Sequence, residues 1–166
     1  VILAIDVQYG EDSAVAAGVV FERWDSTAVT KEVTTPIDTV APYEPGAFYK
    51  RELPCILAVM EAVKLPISMV IVDGFVNLGE EEKPGLGQHL YSYLEGKMPV
   101  VGVAKKPFAG TPSKCEVLRG QSSKPLYVTA VGLSLAEAKK GVLTMEGKHR
   151  LPTMLKRVDQ LCRGLN

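Results

Sequence analysis

Long apolar runs are missing from this sequence. No stretch approaches the ~20 residues a helix needs to cross a bilayer, so no membrane partner and a cytoplasmic protein are expected. No basic-then-apolar leader pattern precedes the first strand-like segment either, so no export signal is expected. Histidine is scarce, at His89 and His149 only, and the three cysteines, Cys55, Cys115 and Cys162, are odd in number without close paired spacing. That argues against a Cys/His zinc site and a disulfide framework, and the thiols read as small buried residues in a reducing compartment.

Net charge is missing too, with 19 Lys/Arg against 19 Asp/Glu, but the balance hides a division along the chain. Residues 1–83 hold 6 basic and 14 acidic side chains, while residues 84–166 hold 13 basic and 5 acidic. One account is two complementary surfaces within one domain; the other is an acidic metal centre beside a basic surface that receives a polyanion.

What is present is enough apolar residue, 46% of 166, for one substantial core, and a single domain over residues 1–166 is expected. Residues 1–9, 13–24 and 26–35 alternate as strands with tight-turn residues between them and read as an antiparallel meander. Residues 46–64 switch to helical spacing, with Pro54 inside predicting a kink or break. A short apolar strand at 68–73, a polar loop at 77–84, a helix at 85–95 and a buried strand at 98–104 follow. Beyond a Lys/Pro/Gly-rich loop at 105–114 come short strands at 115–118 and 126–131, a helix capped by Ser134, and a last helix at 152–163. This order predicts an α/β fold with a ribonuclease-H-like mixed sheet, a three-strand antiparallel meander followed by parallel strands, flanked by helices. Right-handed crossover then places the strand at 68–73 beside the first.

Asp6 and Asp73 each stand in an otherwise apolar strand, where a carboxylate is costly unless paired or bound to a cation. Neighbouring strands bring the two together, and Glu52, in the first helix, is placed to lean over the sheet towards them. Three carboxylates without nearby His or Cys form an all-oxygen set that favours Mg²⁺, or Mn²⁺, over zinc. Lys105 and Lys106 follow the strand at 98–104 on the same sheet edge, where a lysine can neutralise a phosphate oxygen; two adjacent lysines in a solvated loop are the plainer account.

The ordered motifs Asp6-Val7-Gln8-Tyr9, Pro42-Tyr43-Glu44-Pro45-Gly46 leading to Arg51-Glu52, Val72-Asp73-Gly74 and Gly102-Val103-Ala104-Lys105-Lys106 resemble those of the endonuclease V family. Gly85, Gly87 and His89, residues 125–131 and Leu151-Pro152 continue the similarity over most of the chain. The resemblance implies a Mg²⁺-dependent repair endonuclease that cuts DNA or RNA on the 3′ side of inosine, the product of adenine deamination. It implies that Asp6, Glu52 and Asp73 hold the metal, that Lys105 supports catalysis, and that the segment around Tyr43 is a strand-separating wedge. Tyr9, Pro42, Tyr43, Glu44, Pro45, Gly46, Gly74, Lys105 and Lys106 would then contact nucleic acid. Departures from the family pattern are Val76 in place of a glycine, Gly79-Glu80 in place of His-Pro with Glu81 and Glu82 following, and no histidine among Gly132-Leu133-Ser134. A valine side chain in the base pocket and acids near the phosphates are expected to weaken inosine discrimination. A nucleic-acid-binding relative with weakened catalysis, or a nuclease for another nucleic-acid structure, are the alternatives.

Overall fold

The structure is a computed structural model and describes residues 1–165. Its centre is a seven-stranded mixed sheet that runs, edge to edge, Lys31–Ile37, Ala14–Phe21, Ile2–Tyr9, Met69–Asp73, Val100–Ala104, Leu126–Val131 and Glu116–Val117. Strands β1 (Ile2–Tyr9), β2 (Ala14–Phe21) and β3 (Lys31–Ile37) make the expected antiparallel meander. The chain then crosses through helix α1 (Tyr49–Val63) to β4 (Met69–Asp73), which lies parallel to β1. Helix α2 (Leu86–Tyr93) leads to β7 (Val100–Ala104), parallel to β4, and β8 (Glu116–Val117) and β9 (Leu126–Val131) close the sheet antiparallel. Helices α3 (Leu135–Thr144) and α4 (Thr153–Cys162) follow. No helix of the described residues is long and apolar enough to cross a membrane.

Both faces of the central strands are covered, which is why those strands read as nearly continuous apolar runs. Side chains alternate across a strand, so Leu3, Ile5, Val70 and Val72 pack with Cys55, Ile56 and Val59 of α1 and Leu90 of α2. Their neighbours Ile2, Ala4, Met69, Ile71, Val101 and Val103 face the other way, against Ala138 and Val142 of α3 and Met154, Val158 and Cys162 of α4.

Local departures from expectation have local causes. The connection from β2 to β3 is wider than the tight turn expected: Ser26 Oγ accepts from Arg23 N–H at 2.9 Å and Thr30 N–H returns to Val20 O at 2.7 Å. This delays the third strand to Lys31, and as an edge strand it accommodates Pro36. Helix α1 runs unbroken through Pro54, which lies on its exposed side. The loop at 77–84 contains a small hairpin, β5 (Asn77–Leu78) with β6 (Lys83–Pro84). Ser134 caps α3 as its sequence implies, its Oγ accepting from Glu137 N–H at 3.1 Å.

Candidate active site

Three apolar rows on the α3/α4 face of the sheet each end in a charge. Ile2 and Ala4 lead to Asp6, Met69 and Ile71 lead to Asp73, and Val101 and Val103 lead to Lys105, all by the two-residue period of a strand. Ile5 pairs with Val72, so Asp6 and Asp73 stand one step further on, side by side where the pairing of the parallel neighbours β1 and β4 ends, while β1 itself runs on to Tyr9. Immediately after Asp73 the chain turns at Gly74, with φ at +140°, and passes over β7. Gly102 makes that passage possible, because a Cβ there would lie 2.5 Å from Gly74 O.

Glu52 arrives from α1, on the opposite face, and is only 9% exposed. Burial, reinforced by the charges of Asp6 and Asp73, pushes its carboxyl up to about 8. Burial and then Asp73 push Asp6 up to about 7, although Val7 N–H donates to Asp6 Oδ1 at 2.9 Å. Asp73, at the solvent-open end of β4, is raised by the crowding of surrounding protein, with Lys105 opposing. Lys105 therefore faces both aspartates, but one ammonium does not offset three crowded acids. An oxygen-only donor set whose members resist ionising together is suited to a divalent cation. Arg51, beside Glu52, lies 4.2 Å over the Tyr9 ring, and both Tyr9 Oη and Arg51 Nε are buried without a hydrogen-bond partner. Tyr9 thus packs inward against Arg51 and Phe48.

Sequence reasoning missed a fourth acid, Asp159 of α4. Its carboxylate, that of Asp6 and the Cys162 thiol place their ligand atoms within 4.8 Å of one another. Cys162 is pushed up to about 12, first by burial and then by Asp6 and Asp159, so it stands there as a thiol. The signal existed: Met154, Leu155, Val158 and Cys162 form the inward stripe of α4, and Asp159 lies between the last two. A small cavity of about 20 Å³ lined by Asp6, Asp73, Lys105, Leu151, Leu155 and Val158 separates α4 from the sheet end.

Beyond Asp73 a larger cleft of about 290 Å³ opens among Phe48, Tyr49, Gly74, Phe75, Leu86 and Phe108. Phe75 and Phe108 meet edge to face at 6.5 Å, and Tyr49 stacks on His89 at 3.5 Å. On one side the exposed segment Pro42, Tyr43, Glu44, Pro45 and Gly46 carries Tyr43 66% exposed, with Glu44 paired to Lys50 at 3.0 Å. Lys106 points to solvent. Val76 does not line the cleft as expected. It is fully buried against Gly87, where a Cβ would come within 2.6 Å of its Cγ2, and its N–H donates to Thr129 Oγ1 at 2.8 Å. The reason for expecting poorer discrimination from Val76 is thereby removed. Glu81 pairs with Lys83 and Glu82 with Lys114, which leaves Glu80 as the exposed acid of that turn not paired among the described residues.

A protein-family model described as Endonuclease V matches residues 1–132. The endonuclease V of Streptomyces coelicolor is 33% identical over 185 residues, covering 98% of this chain and 78% of the relative. The crystal structure of endonuclease V from Streptomyces avermitilis superposes with a TM-score of 0.78 at 30% identity, over 98% of this chain and 79% of that one. At 21% identity the fold also matches Ciona intestinalis endonuclease V, solved with a 24mer DNA containing an inosine followed by a ribo-adenosine, with a TM-score of 0.80 over 98% of this chain and 84% of that one.

Proposed function

Because the chain belongs to the endonuclease V family of nucleic-acid endonucleases, we propose that it hydrolyses, with a divalent metal, a phosphodiester bond on the 3′ side of inosine. The observation that carries this reading is the side-by-side placement of Asp6 and Asp73 at one sheet end, with Asp159 beside Asp6, Lys105 lining the same small cavity, and buried Glu52 near enough to feel both aspartates, so that Asp6, Asp73 and Glu52 are held above their ordinary range. Asp6, Glu52 and Asp73 would hold Mg²⁺ or Mn²⁺, with Asp159 beside them. When bound, the cation supplies Lewis acidity, acidifying water and offsetting charge that builds on the phosphate.

The chain's own groups supply the rest. Lys105 brings an ammonium to the edge of the carboxylate cluster, where it neutralises a non-bridging phosphate oxygen and helps orient the attacking water. The apolar cleft of about 290 Å³ opens directly beside Asp73, which suits a base taken out of its stack and held against Phe75 and Phe108. Tyr43, at the tip of a proline-flanked segment, fills the place the base leaves, since a stiff loop loses little entropy when it presses an aromatic ring against bases.

The test is cleavage of inosine-containing strands and matched plain strands, with Mg²⁺ and with a chelator. The expected result is a single metal-dependent cut 3′ to inosine that Asp73→Asn abolishes. Undiminished cutting by Asp73→Asn would remove the metal-site assignment, and equal cutting of plain strands would remove inosine as the substrate.

A further inference from the structure

Two arginines, Arg119 from outside and Arg150 from within, fix the segment joining α3 to α4, and their hydrogen bonds lead towards the catalytic centre. Arg119, just beyond β8, is 5% exposed and spends its guanidinium on main-chain carbonyls. Nη1 donates to His149 O at 2.7 Å and Arg150 O at 3.2 Å, and Nη2 to Met145 O at 2.6 Å and Gly147 O at 2.9 Å. Held from behind in this way, Arg150 extends its own guanidinium across the sheet end. Nε donates to Lys124 O at 3.1 Å, and Nη2 donates to Pro125 O at 2.8 Å and also to Lys105 O.

The Lys105 carbonyl is the informative partner. Pairing between β7 and β9 ends at Ala104 opposite Tyr127, so beyond that point the sheet no longer fixes the lysine. Arg150 takes over where the ladder stops and ties Lys105 to the chain entering β9. Leu151, the next residue after Arg150, lines the same small cavity as Lys105, Asp6 and Asp73, and α4 with Asp159 follows at once. One side chain therefore joins the lysine on β7 to the start of the helix that brings the fourth acid.

We propose that Arg150 is a positioning residue for Lys105: its grip on the Lys105 carbonyl sets where the ammonium stands relative to Asp6 and Asp73. Three carbonyls in different directions suit a planar fork of fixed donors, which an ammonium does not reproduce. The proposal rests on Lys105 acting in catalysis, as proposed above.

Arg150→Lys keeps the charge and loses the fork. It is expected to lower kcat about tenfold or more while KM for the inosine strand stays within about threefold, the pattern of an interaction that matters in the transition state. In a Lys105→Ala background the same change is expected to cost less than about twofold, since residues acting through one another are not additive. Guanidinium at non-denaturing concentration is expected to restore part of kcat to Arg150→Ala, and ammonium is not. A readout independent of turnover is amine labelling of metal-free protein followed by mass spectrometry, in which Lys105 should react faster in Arg150→Lys while Lys106 is unchanged. If Arg150→Lys loses its cooperative melting transition, Arg150→Gln, which retains a planar amide donor, replaces it in every arm. A rise in KM alone, an additive loss in the double variant, or unchanged Lys105 labelling would overturn the proposal. Absence of cleavage by the wild-type protein would instead count against the endonuclease reading, with labelling still deciding the role of Arg150.

Discussion

Asp6 and Glu52 hold protons at pH values where free carboxyls have lost theirs, moving from 3.8 to about 7 and from 4.5 to about 8. In metal-free protein the folded state therefore binds more protons than the unfolded chain between those limits. Stability is greatest below that window and falls as pH rises through it. The thermal midpoint in chelator should accordingly decline between about pH 4 and about pH 8, and Mg²⁺ should raise it most at the alkaline end. A midpoint that climbs with pH in chelator would show that the acids are not crowded as described. Asp6 and Asp73 were legible because a carboxylate inside an apolar strand is conspicuous, and Lys105 because it ends the next such strand. Asp159 was not, since its i,i+4 pairing with Arg163 at 3.3 Å is what an ordinary surface helix shows, and only its place on the inward stripe betrays it. Asp159→Ala should raise the Mg²⁺ concentration needed for half-maximal cleavage by roughly 10-fold or more. An unchanged Mg²⁺ titration would confine Asp159 to its pair with Arg163.

At the scale of elements, the crossover β1–β2–β3–α1–β4 was readable because hydrophobic period changes from two to 3.6 and back, and because handedness leaves β4 one place to go. The start of β3 was not readable, because it depends on the Ser26 and Thr30 turn bonds rather than on periodicity. The helix is not broken at Pro54 for a related reason: an exposed ring in a helix whose other face packs on β1, β2 and β3 is carried by that packing. Val76 shows the reverse error, a residue placed correctly in sequence whose side chain turns into the core over Gly87. The segment at residues 42–46 is exposed, so under the proposed wedge role its consequence would be for binding and not for stability. Tyr43→Ala should leave the melting temperature nearly unchanged and weaken binding to an inosine duplex by roughly 1 to 3 kcal/mol, the usual value of one aromatic–base stack. Wild-type affinity in that variant would make Tyr43 a connector.

Across the whole molecule, the acidic first half and basic second half require one of two explanations, and the ion pairs separate them. If the halves were merely complementary surfaces, pairs joining them would absorb most of the basic charge. Among the described residues only Arg157 with Glu32, at 2.6 and 3.0 Å, and Lys114 with Glu82, at 3.7 Å, do so. Lys105 is held at the acidic centre, Arg150 ties its main chain to that of Lys124, and Lys148 lines a surface cleft with Gln121, Ser122, His149 and Arg150. If the scissile phosphate lies beside Lys105 as proposed, a polyanion running on from the proposed metal site over this segment would meet positive charge. Each phosphate neutralised releases condensed counterions, and log K should fall linearly with log salt. For about four such contacts the slope would be roughly −3, with non-specific and inosine-containing strands running parallel, because base recognition in an apolar cleft adds affinity that salt hardly touches. Arg150 is expected to contribute to turnover through Lys105, whereas Lys148→Ala should reduce the slope by about 0.7 to 0.9 without changing the ratio between inosine and plain strands. Titrations at several salt concentrations measure both quantities, and a slope near zero in wild-type protein would return the charge division to a purely internal role.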